Sequence, residues 1–398
     1  MRIQSIAIKE IPDSRGAPTI EVIIVTDNGK EFSASIPSGG SRGSREARVL
    51  ATAEAIAAAE KIEQALRDRD FTSVGDLDRF LIDLDGTPDK AAFGGNVLLG
   101  VSIAFARALA GAEGRELWLM LRGEFFASTA GDAPPRIFSN LINGGAHAEN
   151  NLDIQEYLVA VKPSVSVKES VEQLKAFYHD LGGWLQQSQN LTAIRLGDEG
   201  GYSLNFKDNF EPLATLGARI RSLHLEKEFA LGIDSAASVF FKGGFYKFEG
   251  KNLTSDELKT IYQSYAAREP LLMSIEDPFD ENEGETFAAL RRELPGKLIV
   301  GDDLTVTNPA LIESCAAQGA ISGVIIKPNQ IGTVSETCEA IRAARTRGIQ
   351  VVISHRSGET DDTFIIHLAR ACGADGVKIG APIRERLVKF NELARLYG

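Results

Sequence analysis

Apolar residues recur along this chain with two different rhythms. Over the first 36 residues they fall at short, strand-like intervals. Ile3, Ser5, Ala7 and Lys9 alternate with Gln4, Ile6, Ile8 and Glu10, a mixed pattern that marks a strand but only weakly picks a face. Thr19 to Thr26 (TIEVIIVT) is dense in β-branched side chains, which suit a pleated surface. Asp27-Asn28-Gly29 tolerates positive φ, so a hairpin turn and a returning strand through KEFSASIP are predicted. From Arg45 to about Arg69 the chain is Ala-rich with few breakers, which predicts a helix, and another is predicted over roughly Asn96 to Ala112. Ala127 to Arg136 (ASTAGDAPPR) combines small residues, Gly and a Pro pair, the composition of a linker. The chain is accordingly divided into an N-terminal α+β domain over 1–126, a linker over 127–136 and a second domain over 137–398.

Beyond the linker, short apolar runs alternate with helical segments such as Ser255 to Ala267 and Ser335 to Arg347. That alternation indicates a parallel α/β arrangement. Six runs end in residues able to do chemistry: LGID at Asp234, MSIE at Glu276, LIVGD at Asp302, GVIIK at Lys327, VVISHR at His355 and Arg356, and DGVK at Lys378. Successive ends lie roughly 25 to 40 residues apart, about the length of a strand and its returning helix. Parallel strands that close into a barrel bring their C-terminal ends to one face. Three carboxylates facing cations on that face predict a divalent metal beside an anionic substrate.

Bulk properties narrow the function. The 398 residues suffice for a barrel with an additional domain, and 43% are hydrophobic, which permits a large core. A net charge of −12 argues against nucleic-acid partners and against docking on anionic membranes. Cys315, Cys338 and Cys372 lie far apart and form no C-x-x-C pair, so a disulfide framework is not expected and a reducing, cytoplasmic setting is. The N-terminus, MRIQSIAIKEI, alternates like a strand and not like a secretion signal. No uninterrupted apolar stretch of about 18 residues predicts a membrane span.

Each candidate residue also has a plainer reading. A strand-end acid can simply cap the next helix, and a strand-end Lys can be ion-paired or snorkel. A Lys in a low-dielectric pocket can instead lose its proton and act as a base, which makes Lys327 and Lys378 candidates. His355-Arg356-Ser357-Gly358 offers an Arg fork, a hydroxyl and backbone amides suited to phosphate or carboxylate. Gly197-Asp198-Glu199-Gly200-Gly201 is either a surface turn or a tight loop that brings a carboxylate to a ligand. His147 and Glu156 sit in NGGAHAENNLDIQE, and PSGGSRGSREA (Pro37 to Ala47) could close over an anion or metal.

Taken together, DSRGAPTIEV, IPSGGSRG, LDGTPDK, INGGAHAENN, GDEGGY, SIEDPFD, VGDDLTVTNP, KPNQIGT, SHRSGETDDTF and KIGAPIRERL follow the order of the enolase family, which this chain closely resembles over nearly its whole length. The resemblance implies an N-terminal antiparallel meander with helices, then a modified (βα)8 TIM-like barrel whose first strands depart from regular βα alternation. It implies reversible dehydration of 2-phosphoglycerate to phosphoenolpyruvate with two Mg²⁺ ions, one permanent and one arriving with substrate. Asp234, Glu276 and Asp302 match the ligands of the tighter ion, and Ser41 the mobile-loop serine that reaches the second. Lys327 matches the base, and Glu199, with Glu156 beside it, the acid. Lys378 matches the partner of the substrate carboxylate, Arg356 and Ser357 the phosphate grip, and His147 and His355 line the site. A homodimer or higher homo-oligomer is also implied.

Departures from the family pattern set up an alternative. Arg42 stands where the mobile loop usually carries Thr, Ile379 where Thr is usual, and Glu149 where Gly or Asp is common. The N-terminal region is shortened after Glu46, and GAPIRERL lacks one residue. These changes motivate a non-catalytic enolase-like binding or scaffold protein as the alternative to an active enzyme.

Overall fold

The computed structural model describes residues 1–40, 43–127, 131–163 and 166–398. Ser41 and Arg42, and residues 128–130 of the expected linker, lie outside the described residues.

The N-terminal strands form as the alternation predicts. β1 (Ile3–Pro12), β2 (Pro18–Thr26) and β3 (Glu31–Ile36) make an antiparallel sheet in the order β1-β2-β3. The turn closes where Gly29 N donates to Thr26 O at 2.8 Å, with Gly29 at φ +75°. Helices α1 (Thr52–Leu66), α2 (Val74–Asp85) and α3 (Gly95–Ala112) follow. The first helix is shorter than predicted, for a tertiary reason. The backbone from Ala47 to Leu50 is held by distant partners instead of by its own helical turn: Ala47 N donates to Gln330 O, Arg48 N to Asp89 O and Leu50 N to the Asn96 side chain. Such contacts override the helix propensity of an Ala-rich segment.

α3 is long and apolar enough to cross a membrane by length and composition, but 78% of it is buried inside the molecule. It packs on β2 and β3, where a Cβ at Gly100 would collide with Val22. Its apolarity is therefore explained by the core it fills.

The second half is a closed barrel. β4 (Arg136–Asn143) and β5 (Glu156–Val161) are followed by the short strands β6 (Arg195–Leu196) and β7 (Tyr202–Ser203) and then by β8 (Phe229–Asp234). A small excursion, β9 (Phe241–Lys242), β10 (Phe245–Phe248) and β11 (Lys251–Leu253), precedes β12 (Leu272–Glu276), β13 (Leu298–Gly301), β14 (Gly323–Ile326), β15 (Gln350–Ser354) and β16 (Gly376–Ile379). The ring runs β4-β5-β8-β12-β13-β14-β15-β16 and closes by pairing β16 with β4. Seven of these strands are mutually parallel. β5 alone is antiparallel to both neighbours, β4 and β8. The barrel interior is filled by Phe138, Leu158, Ala160, Leu298, Val300, Ile325 and Val352, with Ala230 and Met273 against them. It is a packed core and not a pore.

Polar clasps join the N-terminal elements to the barrel. Arg107 on α3 forks onto Asp362 at 2.8 and 2.7 Å, and Lys90 pairs with Glu336 at 2.8 Å. Asp78 on α2 accepts from Ser335 N at 2.8 Å and Ser335 Oγ at 2.6 Å. Burial pushes Asp78 up to about 6 despite these bonds. An acid raised in the fold binds its proton more tightly there than in the unfolded chain. The cost of its charge, about 3 kcal/mol, is present above pH 6 and disappears as pH falls from 6 towards 4. Calorimetry at pH 7 and pH 5 is therefore expected to show the wild type gaining stability relative to Asp78→Asn on acidification. A difference independent of pH would remove this account.

Candidate active site

Three acids meet at the C-terminal rim of the barrel. Asp234 ends β8, Glu276 ends β12, and Asp302 follows β13; the first two are paired in register across adjacent strands. Asp234, Glu276 and Asp302 offer oxygens all within 4.8 Å of one another, and all three are buried. Carboxylates so close and so dry require cations. Lys378 from β16 supplies one: its Nζ lies 2.8 Å from Glu276, 2.9 Å from Glu156 and 3.2 Å from Asp234. Burial opposes the charge on Lys378, but these acids outweigh it and hold its pKa well above the ordinary value. Lys327, just after β14, ion-pairs with Asp302. Here too burial works against the ammonium, and Asp302 reverses the balance and raises its pKa. Of the two readings open for Lys327 from the sequence, the ion-paired one holds in this setting, because Asp302 stabilises the ammonium. Burial and Asp234 push Glu276 well up, whereas Lys327 and Lys378 overcome burial to hold Asp302 down.

The donor set suits a hard divalent cation. It is all oxygen, convergent and buried, and two ammonium groups already stand against it. Asp277 stiffens one arm: its carboxylate accepts from Asp302 N at 2.9 Å and Asp303 N at 2.6 Å, while its own backbone takes φ +39°. Asp303 is pushed up to about 7 by burial and by Asp302. Asp277 and Asp303 were not singled out in the sequence, although they stand inside the quoted SIEDPFD and VGDDL segments.

A second carboxyl pair faces the first group. Glu156 reaches this rim only because β5 runs backwards, so that its first residue lies beside the last residues of β4 and β8: Glu156 pairs with Asn143 and Asp234. Glu199 comes from the turn between β6 and β7. Gly200 takes φ +83° there, and a Cβ at Gly197 or Gly201 would press on Asn143 at 2.6 or 2.5 Å. The glycines therefore let the turn sit flat against β4. His147 Nδ1 lies 3.7 Å from both Glu156 and Glu199, and His355 Nε2 lies 3.5 Å from Glu199. Asn140 donates to Glu199 at 2.9 Å. Burial and the charge of Glu199 push Glu156 well up. Burial would raise Glu199 as well, but His355, His147 and Lys378 hold it well below the carboxylate range. Both imidazoles are themselves pulled down by burial, so they act on Glu199 chiefly as oriented polar groups. The two carboxyl groups are thus driven apart, Glu156 towards its protonated form and Glu199 towards its charged form.

The third side of the pocket carries a buried guanidinium. Arg356 is 5% exposed, and its fork lies on Glu46 at 3.0 and 3.2 Å and on Asn329 at 3.0 Å. Ser357 Oγ accepts from Gly40 N at 2.7 Å, next to Ser41. Glu46 also accepts from Gly43 N and from Gln330, which in turn donates to Asp302 at 3.1 Å. A polar chain thus runs from the 37–47 loop through Glu46 to both Arg356 and the acids. Sequence reading passed over Glu46 and Gln330, although both lie inside quoted segments.

His147, Glu156, Glu199, Asp234, Lys327, His355, Arg356, Ser357 and Lys378 line one small pocket. Glu276 and Asp302 join it through Lys378 and Lys327. Of the residues singled out for this site, only Ser41 lies outside the described residues. A separate cavity behind Arg356, between α3 and the barrel, is lined mainly by apolar atoms.

Comparison with known proteins agrees with this geometry. The model of the enolase N-terminal domain matches residues 3–121, and that of the enolase C-terminal TIM barrel domain matches residues 133–397. The enolase of Methanopyrus kandleri is 40% identical over 412 aligned residues, covering 99% of this chain and 95% of its own. The enolase of Methanocaldococcus jannaschii is 38% identical over 406, with 99% and 94% covered. That of Lactobacillus acidophilus is 40% identical over 411, again with 99% and 94% covered. The chain belongs to the enolase family.

Proposed function

We propose that this pocket carries out the reversible dehydration of 2-phosphoglycerate to phosphoenolpyruvate, with Mg²⁺ held by Asp234, Glu276 and Asp302. The observation that carries the reading is one pocket with a convergent acid triad, a Lys on each side of it, a carboxyl pair and a buried Arg-Ser grip. Removing the α-proton of a carboxylate places a second negative charge on that carboxylate. Two Mg²⁺ ions, when bound, would supply positive charge opposite it.

Each residue then has a task. Lys327 takes the α-proton. Glu199 and Glu156 share one proton, and the pair presents it to the departing β-hydroxyl. Lys378 stands opposite the substrate carboxylate, and Arg356 and Ser357 hold the phosphate. His147 and His355 wall the pocket beside the carboxyl pair and keep water from it. The pattern of a Lys base with Mg²⁺ is among the general catalytic patterns known for the enolase superfamily.

Mixing the protein with 2-phosphoglycerate, with and without Mg²⁺, and following phosphoenolpyruvate by its ultraviolet absorbance tests this directly. Mg²⁺-dependent product is expected. No product from a folded protein at saturating Mg²⁺ would sink the reading and favour the binding-protein alternative. Mg²⁺ should also raise the melting temperature, since a ligand at a hundredfold excess over its Kd adds about 2.7 kcal/mol. Glu276→Gln is expected to lose most of that increment; an unchanged increment would move the metal elsewhere. The reading further includes a homodimer or higher homo-oligomer, to be checked by sedimentation equilibrium or light scattering, and a cytoplasmic setting, which suits three buried free cysteines.

A further inference from the structure

Arg386 is among the largest fully buried side chains of the described residues, 1% exposed, and the reaction steps assigned to the pocket do not use it. It closes a short 3-10 turn, Arg384–Arg386, after β16. Its path passes over Gly380, where a Cβ would lie 2.5 Å from Arg386 Nε. The guanidinium fork reaches two loops of the pocket: Nη2 donates to Ser357 O at 3.0 Å and to Asp198 O at 3.4 Å. Glu385 balances its charge. A further donor, Nε, points at His355 Nδ1 at 3.4 Å.

That last contact has a chemical consequence. A guanidinium has donors only, so the imidazole nitrogen facing it must offer a lone pair. A neutral imidazole with its lone pair on Nδ1 carries its hydrogen on Nε2. Nε2 is the atom 3.5 Å from Glu199 Oε2. The opposite tautomer would set two lone pairs against each other at that contact and an N–H against the guanidinium at the other.

We propose that Arg386 is a positioning residue for the dehydration, fixing the Nε2–H tautomer of His355 and thereby aiming that hydrogen at Glu199. The proposal rests on the placement of Glu199 and His355 at the reacting end of the pocket. Arg386 acts through His355 and does not touch substrate. A lysine at this position could serve one acceptor at a time, whereas the fork serves His355, Ser357 and Asp198 together.

The test is ¹⁵N-resolved NMR of the five histidine side chains, with the His355 signals identified by their loss in His355→Gln. In the wild type we expect a protonated Nε2 and an unprotonated Nδ1 on His355. Arg386→Met, which keeps bulk but removes the donors, should lose the pure Nε2–H signature. Its kcat should fall about 10- to 100-fold, the range typical of outer-shell partners, with KM changed less. Should Arg386→Met fail to fold, Arg386→Lys, which retains the charge, should still show a mixture of tautomers. An Nδ1–H tautomer in the wild type, or an Nε2–H tautomer kept in the folded variant, would overturn the proposal, even if kcat fell. A wild type with the expected tautomer but no turnover of 2-phosphoglycerate would instead refute the dehydration reading and leave the Arg386–His355 assignment standing.

Discussion

Replacing Lys327 by alanine is expected to lower kcat by about 10²- to 10⁴-fold, the range for loss of a positioned acid or base. The argument is geometric before it is electrostatic. Lys327 caps the end of β14, held there by its own backbone N–H donating to Thr307 Oγ1 at 2.9 Å, and its Nζ enters the pocket beside Asp302. Asp302 raises the Lys327 pKa, so the base form is scarce as long as that pairing stands. Activity is thus expected to climb with pH on the acid side, because each increment of pH frees more of the amine. The decisive measurement is exchange of the substrate's α-proton with deuterated water, which isolates proton removal from later steps. Lys327→Ala should lose this exchange in step with kcat, with KM much less affected. Exchange near the wild-type rate would assign the base to another residue.

The second large effect concerns stability. Lys378→Met is expected to cost about 3–5 kcal/mol in the presence of a chelator, the usual penalty for removing one partner of a buried ion pair. Three carboxylates, Glu156, Asp234 and Glu276, lie within 3.2 Å of the Lys378 Nζ, and all of them are buried. Without the ammonium they repel one another in a dry pocket and must take up protons. Excess Mg²⁺ should restore part of the loss, because it would place charge against two of the same carboxylates. Urea unfolding with chelator and with Mg²⁺ separates these cases. A variant as stable as the wild type in chelator would show that the acids are neutralised by some other means.

Much of this molecule was readable from residue patterns, and the unread parts share a cause. The hairpin at Asn28-Gly29, the helix over 95–112 and the six chemically armed strand ends are local features, set by φ preferences, periodicity and spacing. The early start predicted for the first helix failed because Gln330, Asp89 and Asn96 capture its backbone, and no local pattern announces them. The charged state of Lys327 was left open by the sequence for the same reason: it depends on Asp302, which is adjacent only in space. Glu46, Gln330, Asp277 and Arg386 were passed over because each acts through a hydrogen bond to another site residue. Alternation and spacing do not encode such second contacts. The arrival of Glu156 at the rim needed the reversal of β5, which the family resemblance implied only in general terms.

The pairing of β16 with β4 also bears on the order of assembly. Arg136 pairs with Gly376 across most of the barrel sequence, whereas β4 and β5 are joined by a short connection and pair as a hairpin. Pairing strands far apart in sequence costs more loop-closure entropy than pairing near neighbours. Lys378 stands on the strand that closes the ring, while Glu156, Asp234 and Glu276 stand on strands that precede it. Sealing the ring and neutralising its acidic rim are therefore one event, so that an incompletely wound chain carries an unbalanced charge at the very spot where its final strand must dock.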